Sequence, residues 1–219
     1  EVFMKDDFKN IVSTDWLEQH LEAPDIRIID SSWYFPQEKR NAEQEFLECH
    51  IPGASFFDID KIKDNDCDLP HMLPPSAMFN STVRKLGIGD GHKVVIYDGL
   101  GMRSAARLWW MFKVFGYSDV VVLDGGFPKW VKENRSTTAD LTEKEIRHLT
   151  IYEDKSIVAD RDDVLRATKL NHCSIIDARS EERFMGTAPE PRSGLRSGSI
   201  ENSINVPYET LLNLSLIHI

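Results

Sequence analysis

The groups in this chain able to act as nucleophiles are few. Its thiols are Cys49, Cys67 and Cys173, and because a thiol reacts as its thiolate, the surroundings of each decide its chemistry. Cys67 lies among Asp64, Asp66 and Asp68, whose charges raise a thiol pKa and disfavour ionisation. Cys173 directly precedes the run Ser174-Ile175-Ile176 and reads as a packed residue. Cys49 adjoins His50, which favours ionisation, but no glycine loop or helix start comes after it to cradle an anion. None of the three reads as a catalytic nucleophile. Cys49, His50, Cys67 and His71 are the right ligand types for zinc, yet an adjacent pair and a lone Cys-x3-His depart from the spacing of closed tetrahedral sites, so no metal is predicted. Gly99-Leu100-Gly101 lacks the third glycine and the lysine of nucleotide-binding loops. Taken by residue type alone, His71 reads as a loop histidine bonded to backbone and Asp60 as a cap for the residues just after it. Arg183 and Arg192 read as solvated charges balancing Glu181, Glu182 and Glu190.

Scattered thiols in this number make no disulfide framework and suit a reducing compartment. The 219 residues carry 26 Lys plus Arg against 36 Asp plus Glu, a net charge of −10 with no basic cluster, which argues against nucleic acid as a partner. No apolar run approaches the ~20 residues needed to span a bilayer. Lys5-Asp6-Asp7 fits neither a secretory nor an Arg-rich transit segment. The expected compartment is the cytoplasm, without membrane association. A hydrophobic content of 41% is that of a folded chain with true cores.

The elements that must position any site come in a pattern that repeats. Asp15 followed by Glu18 predicts a helix start with a capping-box-like pair, and Trp16, Leu17 and Leu21 lie at helical spacing. Ile26 to Ile29 then predicts a strand ending at Asp30. Later, Asp160 caps a segment carrying Val164 and Leu165, and Ser174-Ile175-Ile176 predicts a strand ending at Asp177. Cys49-His50-Ile51-Pro52-Gly53-Ala54 aligns likewise with Gly198-Ser199-Ile200-Glu201-Asn202-Ser203. The displacement is about 148 residues each time, which means two copies of one domain. The first copy continues with a buried strand Val94-Val95-Ile96-Tyr97 and a glycine-containing loop from Asp98 to Arg103. A helix from Ala105 to Val114 comes next, with Ser104 as its N-cap and Gly116 closing it. A second apolar strand, Val120 to Leu123, leads through the turn Asp124-Gly125-Gly126 into a short helix around Trp130. Strands alternating with helices predict an α/β fold, with a mostly parallel sheet flanked by helices in each domain.

At His50-Ile51-Pro52-Gly53-Ala54-Ser55-Phe56-Phe57-Asp58-Ile59-Asp60, and again at Ser104-Ala105-Ala106-Arg107-Leu108-Trp109-Trp110-Met111-Phe112, the chain resembles tandem-rhodanese sulfurtransferases. Asp177-Ala178-Arg179, Arg183-Phe184-Met185-Gly186-Thr187 and Pro189-Glu190-Pro191-Arg192 agree. The likeness runs from about Phe8 to Asn213. It implies a non-catalytic first domain and a second domain whose loop cysteine carries sulfur as a persulfide. Such a loop works because successive backbone N–H groups and the N-terminus of the next helix form a positive cradle that holds a thiolate ionised. Asp98 stands where that cysteine would be in the first copy, and a carboxylate cannot accept sulfur.

The resemblance is nearest to the 3-mercaptopyruvate branch. It implies that Asp60 and His71 form a proton relay with a serine of the catalytic loop, and that Arg183 and Arg192 bind the substrate carboxylate, for which a guanidinium fork is well suited. It further implies a thiol or cyanide acceptor, including a thioredoxin-like protein, and no metal or organic cofactor. The domains expected are 8–135 for the first copy, 136–155 for a polar linker, 156–213 for an incomplete second copy, and a tail, 214–219, that matches nothing in the first. By the repeat, the second copy's loop falls near residue 246, about 148 beyond Asp98, so the 219-residue chain is expected to stop before its nucleophile and not to turn over. Two rivals are a thiosulfate sulfurtransferase and a non-catalytic rhodanese-like binding module. A cysteine phosphatase, which requires a Cys-x5-Arg loop, is discounted.

Overall fold

The computed structural model describes residues 10–170, 173–192 and 194–212. The expected bounds Phe8 and Asn213, the segment Lys5-Asp6-Asp7 and the tail 214–219 lie outside the described residues. The chain divides into two units, Glu1–Asp154 and Lys155–Ile219.

In the first unit a parallel sheet is built from β1 (Ile11–Val12), β2 (Ile26–Asp30), β3 (Ser55–Phe56), β4 (Lys93–Tyr97) and β5 (Val120–Leu123), in the order β1-β5-β4-β2-β3. The connecting helices are α1 (Thr14–Gln19), α2 (Ala42–Glu48), α3 (Ser76–Lys85) and α4 (Ala105–Val114), with α5 (Gly126–Lys132) after β5. Because strand side chains alternate, β4 sends Val94 and Ile96 to one face and Val95 and Tyr97 to the other. All four are fully buried, as the central strand of a two-sided parallel sheet must be. One core gathers Ile96, Phe79 and Val83 of α3, and Leu108 and Phe112 of α4. The opposite core gathers Val95, Tyr97, Leu17 of α1, Phe46 of α2 and Trp130 of α5.

Two caps differ from the sequence expectation. The N-cap of α1 is Ser13, whose hydroxyl accepts from the Trp16 N–H, rather than Asp15. Asp15 instead pairs with Arg135. At α4, Ser104 occupies the cap position without bonding any helix N–H, and the carboxylate of Asp98 supplies that bond to Ala105 at 2.8 Å.

The polar segment after α5 is laid along the first unit. Thr138 and His50 exchange two backbone bonds of 2.9 Å, Tyr152 N–H donates to Phe115 O at 3.0 Å, and Leu149 is buried in the core. The boundary between units therefore falls at Asp154. Gly116 shows how close this packing is. Its φ is +76°, and a Cβ there would lie 2.5 Å from the Tyr152 carbonyl oxygen.

The second unit holds α6 (Arg161–Ala167), β6 (Ile175–Asp177), α7 (Glu181–Phe184) and β7 (Ser203–Asn205). Asp160 caps α6 in a capping box with Asp163. β6 and β7 pair in parallel, Ile175 to Ser203 and Asp177 to Asn205, as β2 and β3 do at Ile29 to Ser55 and Asp30 to Phe56. The strand-end carbonyl is used alike in both: Phe57 N–H donates to Asp30 O at 2.8 Å and Val206 N–H to Asp177 O at 2.9 Å. These equivalences keep the displacement of about 148 residues that marks a repeat.

Candidate active site

Asp60 lies in the turn after β3, and His71 in the irregular stretch that leads to α3. The fold brings them together. His71 Nε2 is 2.6 Å from Asp60 Oδ1, and the indole of Trp33 donates to Asp60 Oδ2 at 3.0 Å. The Asp60 backbone is held in turn by its N–H donating to Asp58 Oδ1 at 2.9 Å. A carboxylate only accepts, so Nε2 carries the shared proton and Nδ1 is left as the ring's acceptor. Trp33 also meets the His71 ring edge-on, with centroids 5.0 Å apart. His71 adopts φ +58°, a left-handed conformation uncommon outside glycine. A hollow of about 190 Å³ opens beside it, lined by Trp33, Ile59, His71, Ser104 and Arg107.

Trp33 was not expected at this site from sequence. An indole in a stretch between strand and helix carries no periodic signal, and only its partner across the turn reveals its use.

The loop after β4 carries Asp98 where the resemblance implies a sulfur-accepting cysteine. Asp98 is fully buried. Its Oδ1 accepts from Leu100 N–H at 2.9 Å and its Oδ2 from Ala105 N–H at 2.8 Å, so the side chain satisfies two donors of the loop and helix start that would otherwise stabilise an anion. Gly99 N–H donates to Ser32 Oγ at 2.8 Å, and that hydroxyl donates to Asp30 Oδ1 at 2.5 Å. A Cβ at residue 99 would collide with the Tyr34 hydroxyl, which is itself fixed by donating to Glu45 at 2.7 Å and accepting from Arg40 at 2.8 Å. Burial raises the Asp30 carboxyl to about 6, opposed by the bonds from Ser32 and Tyr97, with nearby Asp98 adding slightly to the rise.

In the second unit, Arg183 on α7 is half-buried and donates through Nε and Nη2 to Glu190 Oε2, at 3.2 and 2.6 Å. Arg179 takes the other oxygen of Glu190 at 2.7 Å and also bonds Asp177. Glu190 is held below the usual carboxylate range by these arginines, the bond from Arg183 foremost. Arg192 stands exposed in the bend after Pro191, and among the described residues it shares no acidic partner with Arg183. The Cys-x5-Arg spacing does occur, from Cys173 to Arg179, but β6 fills the interval with an extended strand and Arg179 is committed to carboxylates. The phosphatase reading fails on that geometry, not on spacing. The three cysteines are free, Cys173 being exposed and Cys49 and Cys67 half-buried.

The family of rhodanese-like domains matches residues 13–133. The chain is 42% identical to thiosulfate/3-mercaptopyruvate sulfurtransferase 1, mitochondrial, of Arabidopsis thaliana, over 93% of this chain and 59% of that protein. It is 38% identical to 3-mercaptopyruvate sulfurtransferase of Rattus norvegicus over 94% of this chain and 71% of that protein. Thiosulfate sulfurtransferase of Bos taurus is 40% identical over 94% of this chain and 71% of its own length. Among solved structures, the 3-mercaptopyruvate sulfurtransferase SseA of Escherichia coli superposes with a TM-score of 0.86 at 36% identity, over 95% of this chain and 79% of that one. The chain thus spans only part of each of these relatives. The cytoplasmic expectation is overturned by the mitochondrial Arabidopsis relative. It rested on a few charged residues near Lys5, outside the described residues, and on the scarcity of cysteine, which marks a reducing compartment without saying which one. On the strength of the matched domain and of relatives this similar across nearly all its length, the chain belongs to the rhodanese-like family of sulfurtransferases.

Proposed function

We propose that this chain supplies the donor-binding and proton-relay parts of a sulfurtransferase that takes sulfur from 3-mercaptopyruvate. The observation that carries the reading is the 2.6 Å bond between His71 and Asp60, with Trp33 holding the second carboxylate oxygen. In this reaction a cysteine thiolate attacks the sulfur of mercaptopyruvate, the carbon–sulfur bond breaks, and the electron pair stays on carbon as the enolate of pyruvate. The substrate sulfur loses its proton and the carbon gains one, so pyruvate leaves and a cysteine persulfide remains. His71, with Nδ1 open and Nε2–H anchored on Asp60, is built to move that proton. Arg183, oriented by Glu190, and Arg192 take the substrate carboxylate in this reading. A thiol or cyanide, or a thioredoxin-like protein, then removes the outer sulfur.

In this reading the sulfur-accepting thiol is none of Cys49, Cys67 and Cys173, and Asp98 occupies the equivalent position of the first copy. Counting the repeat on from Asp98, this reading looks for the thiol about 148 residues further, near position 246. The test is pyruvate release from 3-mercaptopyruvate, with cyanide as acceptor, by the full-length gene product and by its His71→Asn and Asp60→Asn variants. A fall in kcat of about a hundredfold or more is expected for His71→Asn. Unchanged turnover would remove the relay. Turnover confined to thiosulfate, indifferent to residue 71, would assign the enzyme to that donor instead.

A further inference from the structure

Arg107 sits in the first turn of α4, half-buried, with its guanidinium over the indole of Trp110 at 5.1 Å from the ring centroid. Burial alone pushes its pKa down, and among the described residues no carboxylate pairs with it. Its Nε is buried without a hydrogen-bond partner. What it does bond is the backbone: Nη2 donates to the carbonyl oxygen of His71. A half-buried cation with no carboxylate beside it among the described residues is a poor way to stabilise a helix, and a methionine of similar length would fill the same space at less cost. The placement makes sense through what it holds. The stretch before α3 carries the charged Asp64, Asp66 and Asp68 and the exposed Leu69 and Met72; Ile62 and Leu73 pack on the core at its two ends, and between them the Arg107 bond reaches the backbone of residue 71 itself.

We propose that Arg107 is a positioning residue for His71. It fixes the left-handed backbone at residue 71 from the rigid end of α4, while Asp60 and Trp33 fix the ring, so that Nδ1 points in one direction. The inference rests on the proposed role of His71 as proton carrier. It adds that the carrier is aimed from its backbone, by a helix whose first turn lines the same hollow.

The experiment is a double-mutant cycle in the full-length gene product, reading kcat and KM for 3-mercaptopyruvate. Arg107→Gln is expected to lower kcat by about ten- to a hundredfold with a smaller change in KM. In the His71→Asn background the same substitution should change kcat by less than about twofold, because two residues acting as one unit are not additive. An equal loss in both backgrounds would overturn the proposal and leave Arg107 a structural residue, with the relay intact. If His71→Asn itself has no effect, the relay reading fails first, and that outcome is visible without Arg107. Should Arg107→Gln not fold, Arg107→Lys decides the matter. Lysine keeps the charge and a donor for the carbonyl, so a kcat within about threefold of wild type, together with a normal melting temperature, supports positioning. A loss with Lys that persists in the His71→Asn background refutes it.

Discussion

At the scale of the residue, Asp30 shows burial and charge in open conflict. Its carboxyl lies at the end of β2 with 5% of its surface exposed, and its compensation is the Ser32 N–H at 2.8 Å and the Ser32 hydroxyl at 2.5 Å. Burial wins, and the group titrates at about 6 in the folded chain against an ordinary value of 3.8. The folded state thus holds this proton more tightly than the unfolded state. Below about pH 4 both states are protonated and the contribution of Asp30 is fully favourable. It is lost as pH rises through 6, and above that the charged form costs about 3 kcal/mol. Asp30→Asn keeps an acceptor for Ser32 and cannot ionise. Its stability relative to wild type is therefore expected to climb by up to about 3 kcal/mol between about pH 4 and about pH 7, measured by urea denaturation across that range. A difference that stays flat with pH would show that Asp30 titrates as an ordinary carboxylate.

The element that matters most for the site is α4, because its N-terminus faces the loop from Asp98 and its first turn carries Arg107. Two side chains compete for the cap. Ser104 has the residue type and the position, yet its hydroxyl is buried without a partner, while Asp98 reaches across the loop to Ala105 N–H and Leu100 N–H. Asp98→Ala should cost about 2–3 kcal/mol, since it leaves one buried and one part-buried donor unsatisfied. Ser104→Ala should change stability by less than about 0.5 kcal/mol, far below the usual loss of a cap. Equal losses in the two variants, measured by chemical denaturation, would restore Ser104 as the cap. The bounds of α4 were legible in sequence, Ala105 to Val114, because helix formers and a closing glycine are local signals. Its cap was not legible, because the competing acceptor sits seven residues back across a loop. The same limit hid Trp33 and the Arg107 bond, which join residues far apart in sequence. The contact between Asp60 and His71 was legible only through likeness to a family, as their residue types fit a cap and a loop histidine equally well. The segment 136–155 reads as a linker by its polarity, yet Leu149 and a few backbone bonds suffice to lay it on the first unit as far as Asp154.

Across the whole molecule the two copies share a local plan and differ in how much they bury. In the first unit β4 is shielded on both faces and paired on both edges, by β2 and β5. In the second, β6 and β7 form a two-stranded sheet, with Ile176 64% exposed and Ile204 54% exposed. A pair of strands without a covered apolar face is marginal in water, and amide exchange reports such differences directly. Amides opening only by global unfolding are protected by the full stability of the domain, whereas those of a thinly packed pair open locally. In the 219-residue chain, the amides of Val95, Ile96 and Val122 are expected to exchange at least about a thousandfold more slowly than those linking β6 and β7. Hydrogen–deuterium exchange measured by NMR or mass spectrometry resolves the two sets. Equal protection would mean that the face bearing Ile176 and Ile204 is covered in solution. Dilution would then discriminate, because cover supplied by a second copy of the chain is lost at low concentration and cover supplied from within the same chain is not.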